Sequence, residues 1–118
     1  KELNNFTKQN KINYIIHLAA QAGVRNSIKN PKEYFDSNLL GFFNILEVSR
    51  KNKVKHLLFA STSSVYGNSK NFPLKETENT DRPESFYAAS KKCNEVMAYS
   101  YSAIYNFKMY SVIYNSRV

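Results

Sequence analysis

Three short apolar runs alternate with stretches of helical period, and this alternation most limits what the chain can fold into. The runs are Tyr14-Ile15-Ile16-His17-Leu18, His56-Leu57-Leu58-Phe59-Ala60 and Met109-Tyr110-Ser111-Val112-Ile113-Tyr114. Compact segments with β-branched or aromatic residues, closed off by small or polar ones, read as buried strands. Between the first two, Asn30-Pro31 fits a helix start, with Pro in the first turn and Glu33 near the positive end of the dipole. Phe35, Leu39, Phe42, Phe43 and Leu46 then recur at helical spacing, predicting one helix to about Lys53. A second helix is expected from Ser85 to about Asn106, and a short one within residues 1 to 10. Strand, helix, strand, helix, strand predicts an α/β fold with a parallel sheet. The polar stretch from Tyr66 to Glu84, with Gly67, Pro73 and Pro83, reads as a long loop, a length that is usually functional or disordered.

In such sheets ligands collect at the carboxyl ends of the strands. Those ends here are Leu18-Ala19-Ala20-Gln21, Ser61-Thr62-Ser63-Ser64 and the region around Tyr114-Asn115-Ser116. The first offers small side chains where a flat cofactor can approach the backbone, and the second offers hydroxyls, which would equally suit a turn capping a strand. Just inside the second helix, Tyr87 and Lys91 are four apart and therefore stack on one helix face. An ammonium beside a phenol favours the phenolate, so this pair is expected to lower the tyrosine pKa and make it an acid/base for a substrate hydroxyl. With nine Tyr and a Lys-rich composition, about one such spacing arises by chance. Tyr66 and Lys70 supply a second copy, but Gly67 and Asn68 between them predict a turn in which the two need not face each other. Convergence with the two strand ends favours Tyr87-Lys91.

The chain has 118 residues, the size of one small domain, and 42% are hydrophobic. No apolar run approaches membrane-spanning length. The N-terminus has neither a signal-peptide core nor an initiator Met, which suggests a piece of a longer protein. The single cysteine, Cys93, precludes an internal disulfide and fits a reducing cytoplasm. The net charge of +8 is spread along the chain, which predicts a mild attraction for an anionic substrate and no nucleic-acid partner. His17 and His56 read as structural, and no Cys/His/Asp/Glu spacing suggests a metal.

Four blocks carry a family resemblance: His17-Leu18-Ala19-Ala20-Gln21-Ala22-Gly23-Val24-Arg25, Asp36-Ser37-Asn38-Leu39-Leu40-Gly41, Ala60-Ser61-Thr62-Ser63-Ser64-Val65-Tyr66-Gly67 and Tyr87-Ala88-Ala89-Ser90-Lys91. In this order, over about residues 12 to 106, they resemble the extended short-chain dehydrogenase/reductase family of NAD-dependent sugar-nucleotide epimerases and dehydratases, most of all UDP-glucuronate 4-epimerases. The resemblance implies a Rossmann fold, NAD as cofactor and a UDP-sugar as substrate. It places Leu18, Ala19, Ala20, Gln21, Asn38 and Ser61 against NAD, and Thr62 on the sugar's hydroxyl or keto oxygen. Tyr87 would be the base, and Lys91 would hold the nicotinamide ribose. Arg25, Ser63 and Ser64 would face the sugar, Arg25 through its planar fork for an anionic group. Asn38 could instead be a buried amide satisfied by backbone, and Arg25 an ordinary solvated charge.

Against that family the chain lacks a glycine-rich first turn, since its three glycines, Gly23, Gly41 and Gly67, form none. A C-terminal substrate lobe is also missing. The expectation is therefore the second half of a Rossmann domain over residues 1–118, holding strands four to six of the order 3-2-1-4-5-6, with the fourth exposing an edge. At the end, Tyr114-Asn115 echoes a family pattern, whereas Arg117 and Val118 do not. The function expected is part of a 4-epimerase working through a keto sugar, from a parent that is a homodimer, with these residues inactive alone. A 4,6-dehydratase would need an acidic residue where Ser63 or Ser64 stands. A non-catalytic NAD-binding relative would tend to lose Tyr87 or Lys91.

Overall fold

The computed structural model describes residues 1–114, so Asn115, Ser116, Arg117 and Val118 lie outside the described residues. Three strands, β1 (Tyr14–His17), β2 (His56–Thr62) and β3 (Lys108–Tyr114), form one parallel sheet in the order β1-β2-β3. Their starts are in register, Tyr14 opposite His56 and His56 opposite Lys108. All carboxyl ends therefore share one edge. The helices are α1 (Glu2–Gln9), α2 (Val24–Lys29), α3 (Pro31–Tyr34), α4 (Gly41–Lys51) and α5 (Phe86–Tyr105). The expected fold class holds: three parallel strands with flanking helices.

The core lies on one face of the sheet. Leu57 and Phe59 of β2 pack with Phe42 and Leu46 of α4, Ala98 of α5, and Val54 and Phe107. Removing each large side chain from water is worth about 1.5–3 kcal/mol. Alternation along β2 turns Leu57 and Phe59 inward and leaves His56 and Leu58 half-buried on the opposite face. This corrects the reading of the first strand as buried. Ile15 packs on the core, but Tyr14 and Ile16 are exposed, as are Tyr110 and Val112 of β3. Among the described residues the helices leave that face open, and β1 has no neighbour on its outer side.

The single helix predicted from Asn30 to about Lys53 is present as an unbroken helical run from Pro31 to Lys51. Pro31 starts α3, and the feature not predicted is a π-turn over Phe35–Leu40 that carries α3 into α4 without a break. A π-turn widens the helix by one residue and often marks a functional site. Helical spacing of Phe35, Leu39 and Phe42 cannot reveal it, because one inserted residue only shifts the phase of the stripe. The α2 helix was not foreseen either.

Candidate active site

The carboxyl edge of the sheet and the start of α5 build the candidate site together. Ser85 caps α5, its hydroxyl accepting the Ala88 N–H at 3.0 Å, so regular helix begins at Phe86. Tyr87 and Lys91 therefore lie one turn apart on one face, as the spacing predicts. Lys91 is buried, and its Nζ donates to the Ala60 carbonyl of β2 at 2.9 Å. Burial without a carboxylate partner pushes Lys91 below the ordinary lysine range. One of its three donors is thus engaged and two are left. Tyr87 is half-buried, with the Tyr34 ring packed edge-on against it at 6.1 Å.

Asn38, inside the π-turn, is buried and engaged at both ends. Its Oδ1 accepts the Gln21 N–H at 2.8 Å, while its Nδ2 donates to the Gln21 carbonyl and to Ser90 Oγ, both at 3.0 Å. Ser90 in turn donates to the Tyr87 carbonyl at 2.7 Å. The amide thus ties the segment after β1 to the first turn of α5, and its hydrogen-bonding groups point into the protein. Tyr34 fixes the same segment farther on, its hydroxyl lying 2.8 Å from both the Ala22 and Gly23 carbonyls. These ties leave Leu18, Ala19 and Ala20 exposed along the sheet edge and Gln21 partly so. Nothing in local spacing singles out Tyr34 or Ser90; only the fold brings Ser90 to Asn38 and Tyr34 to the segment after β1.

Thr62 ends β2 and is buried. Its Oγ1 accepts the Ser64 N–H at 3.2 Å and so caps a 3-10 turn over Ser63–Tyr66, against which α5 also packs. Thr62 thus fills the capping role weighed above while standing at the strand end. Ser61 is turned elsewhere: its hydroxyl donates to the Glu95 carboxylate on α5. Ser63 and Ser64 line a cavity of about 260 Å³ with Val24, Glu84 and Ser85. The long loop returns over this cavity because Gly67, at φ +59°, lets the chain approach Arg82. A Cβ on Gly67 would lie 2.8 Å from the Arg82 carbonyl oxygen. Arg25 is exposed on α2 and makes no ion pair among the described residues.

The remaining pair of equal spacing is not assembled. Tyr66 sits buried in the 3-10 turn, and Lys70 lies beyond it in the loop. Burial and the nearby Glu76, Glu95 and Glu78 carboxylates push the Tyr66 phenol up. His17, beside the site, is pushed below its usual value by burial and by the Lys91 charge. No group of side chains suited to a metal occurs among the described residues.

The profile of the NAD dependent epimerase/dehydratase family matches residues 1–117. The chain belongs to that family. Among curated relatives, "Protein CapI" of Staphylococcus aureus is 54% identical over 92 residues, 78% of this chain and 28% of the relative. The "Probable UDP-glucuronate 4-epimerase" of Rhizobium meliloti (strain 1021) is 53% identical over 91 residues, 77% and 27% of the two chains. Among solved structures, the UDP-glucose 4-epimerase of Thermus thermophilus in complex with NAD superposes with a TM-score of 0.85 at 35% identity, covering 92% of this chain and 35% of the other. The Brucella ovis UDP-glucose 4-epimerase in complex with NAD gives 0.92 at 25% identity, covering 97% and 35%. The chain therefore spans roughly a quarter to a third of the length of these epimerase-family relatives. Its three-stranded sheet is a partial Rossmann fold of that family.

Proposed function

We propose that these residues form the acid/base portion of the site of an NAD-dependent sugar-nucleotide 4-epimerase. One observation carries the reading. Tyr87 and Lys91 share a helix face at the carboxyl edge of the sheet, and Lys91 is anchored on Ala60, two residues before Thr62. In this reading Tyr87 takes the proton of the sugar C4 hydroxyl and later returns it. Lys91 stabilises the phenolate and offers its two remaining donors to a ribose. Thr62 hydrogen-bonds the oxygen that becomes a ketone. When bound, NAD would accept the hydride and give it back to the other face of the keto sugar, so no net oxidation results.

The donor set fits the nicotinamide end of the cofactor. Leu18, Ala19 and Ala20 leave an exposed apolar strip, with small side chains at Ala19 and Ala20 and Gln21 next to it, whereas no glycine-rich turn for a pyrophosphate exists among the three glycines. Asn38 serves the cofactor by holding Gln21 in place, and Ser61 by its position on the strand. Arg25, Ser63 and Ser64 are assigned to the sugar, taken to be that of UDP-glucuronate or a related UDP-sugar because of the 53% identity to the Rhizobium protein. We assign the 118 residues to the second half of the Rossmann domain of a longer, cytoplasmic, homodimeric parent. Exposed Phe43 on α4 and Val96 and Tyr99 on α5 support the dimer. No nucleic acid or membrane enters this reading; no described helix is long and apolar enough to cross a membrane.

Alone, the chain should turn over nothing and bind NAD weakly. Calorimetric titration with NAD tests this, with millimolar or weaker binding expected. Micromolar affinity would mean that the chain keeps a complete nucleotide site without the glycine-rich turn.

A further inference from the structure

Glu95 stands one turn beyond Lys91 and two beyond Tyr87, so the three lie along one face of α5. A Lys and a Glu four apart on a helix ordinarily pair. Here they do not. Lys91 donates to the Ala60 carbonyl, Glu95 Oε1 accepts the hydroxyl of Ser61, the next residue of β2, and Glu95 Oε2 lies 3.7 Å from Lys92 Nζ. Lys92 also donates to Thr80 in the long loop. Two successive turns of α5 thus grip two successive residues of the strand that ends in Thr62. The carboxylate is drawn off the lysine by a hydroxyl and a second ammonium.

We propose that Ser61 and Glu95 are positioning residues: the Ser61 hydroxyl holds the Glu95 carboxylate away from Lys91, leaving that ammonium uncompensated for Tyr87. The proposal rests on the acid/base reading above and adds residues to which that reading assigned no such task. A carboxylate paired with Lys91 would cancel the charge that stabilises a phenolate and would pull the ammonium down the helix, away from Tyr87. The other titratable groups around the pair are His17 on β1, Tyr34 on α3, Tyr66 on the 3-10 turn and Lys92 on α5. Glu76 and Glu78 lie near Tyr66 from the long loop, and Glu95 is the carboxylate one helical turn from Lys91.

The test follows the Lys91 ammonium by carbon-13 NMR of ε-labelled lysine in this chain, its signal assigned by loss in Lys91→Met. Ser61→Ala should free Glu95 to reach Lys91 and move the titration midpoint up. The double variant Ser61→Ala/Glu95→Gln should return it to the wild-type value. Glu95→Gln alone keeps an acceptor for Ser61 and should leave the midpoint in place. An unmoved midpoint in folded Ser61→Ala would overturn the proposal. So would a lowered midpoint in Glu95→Gln, since Glu95 would then already be compensating Lys91; that variant decides the matter if Ser61→Ala does not fold. Catalysis is not needed for this readout, so absence of epimerisation by the longer protein would count against the function and not against the positioning. In an active parent, Ser61→Ala should lower kcat far more than it raises KM.

Discussion

Tyr87-Lys91 and Tyr66-Lys70 have the same spacing and the same residue types, and they end in opposite surroundings. The first pair lies on regular helix, with a buried ammonium held on β2. The second is broken by a 3-10 turn and Gly67, and its phenol faces Glu76, Glu78 and Glu95. Carboxylates beside a phenol hold its proton on. Spacing becomes chemistry only where the backbone turns it into a shared face. Tyr101 repeats the lesson of Tyr66: it donates to Glu47 at 3.0 Å and, through burial and that carboxylate, is pushed up to about 12.

The sharpest way to break this comparison is to exchange phenols in a catalytically active parent. Tyr87→Phe should lower the epimerisation rate by about 10²–10⁴-fold, the usual weight of a general acid/base. Tyr66→Phe should change it far less. Equal losses at both positions would remove the distinction between the pairs. Asn38→Ala comes next. It orphans the Gln21 backbone N–H and carbonyl, and it takes a donor from Ser90, so it should destabilise the chain by about 2–4 kcal/mol in urea unfolding.

Lys91→Met should do the reverse. A buried, uncompensated charge costs stability, so replacing it by an apolar chain of similar length should raise stability by about 1–2 kcal/mol while abolishing turnover. Lys70→Met, in the exposed loop, should leave stability nearly unchanged. Because the folded pKa of Lys91 lies below its unfolded value, this penalty is present at neutral pH and fades as pH rises toward the unfolded lysine value. The smallest effect belongs to Glu47, lowered to about 2 chiefly by its hydrogen bonds from Arg50. Its contribution is present above the unfolded carboxylate pKa and lost as pH falls toward about 2. An acid titration of thermal stability should therefore be shallower in Glu47→Gln across that window.

Several features were legible because they are local. The three apolar runs, the helix from Ser85 and the hydroxyls after β2 each express a pattern a few residues long. Within the helix before β2, an inserted residue made the π-turn invisible to a search for period. The open face of β1 was equally hidden, since Tyr14 and Ile16 have the composition of a buried strand whether or not something covers them.

By itself the sequence determined the alternation of strands and helices, and it put Tyr87 and Lys91 one turn apart, because backbone period needs no distant partner. Only the tertiary structure decided what each polar group does. It turned Asn38 inward onto Gln21 and Ser90, gave Ser61 to Glu95, and left Lys91 on a carbonyl instead of a carboxylate. Those choices depend on which groups meet across 17 to 52 residues of chain, where each buried donor must find an acceptor and local spacing cannot name it.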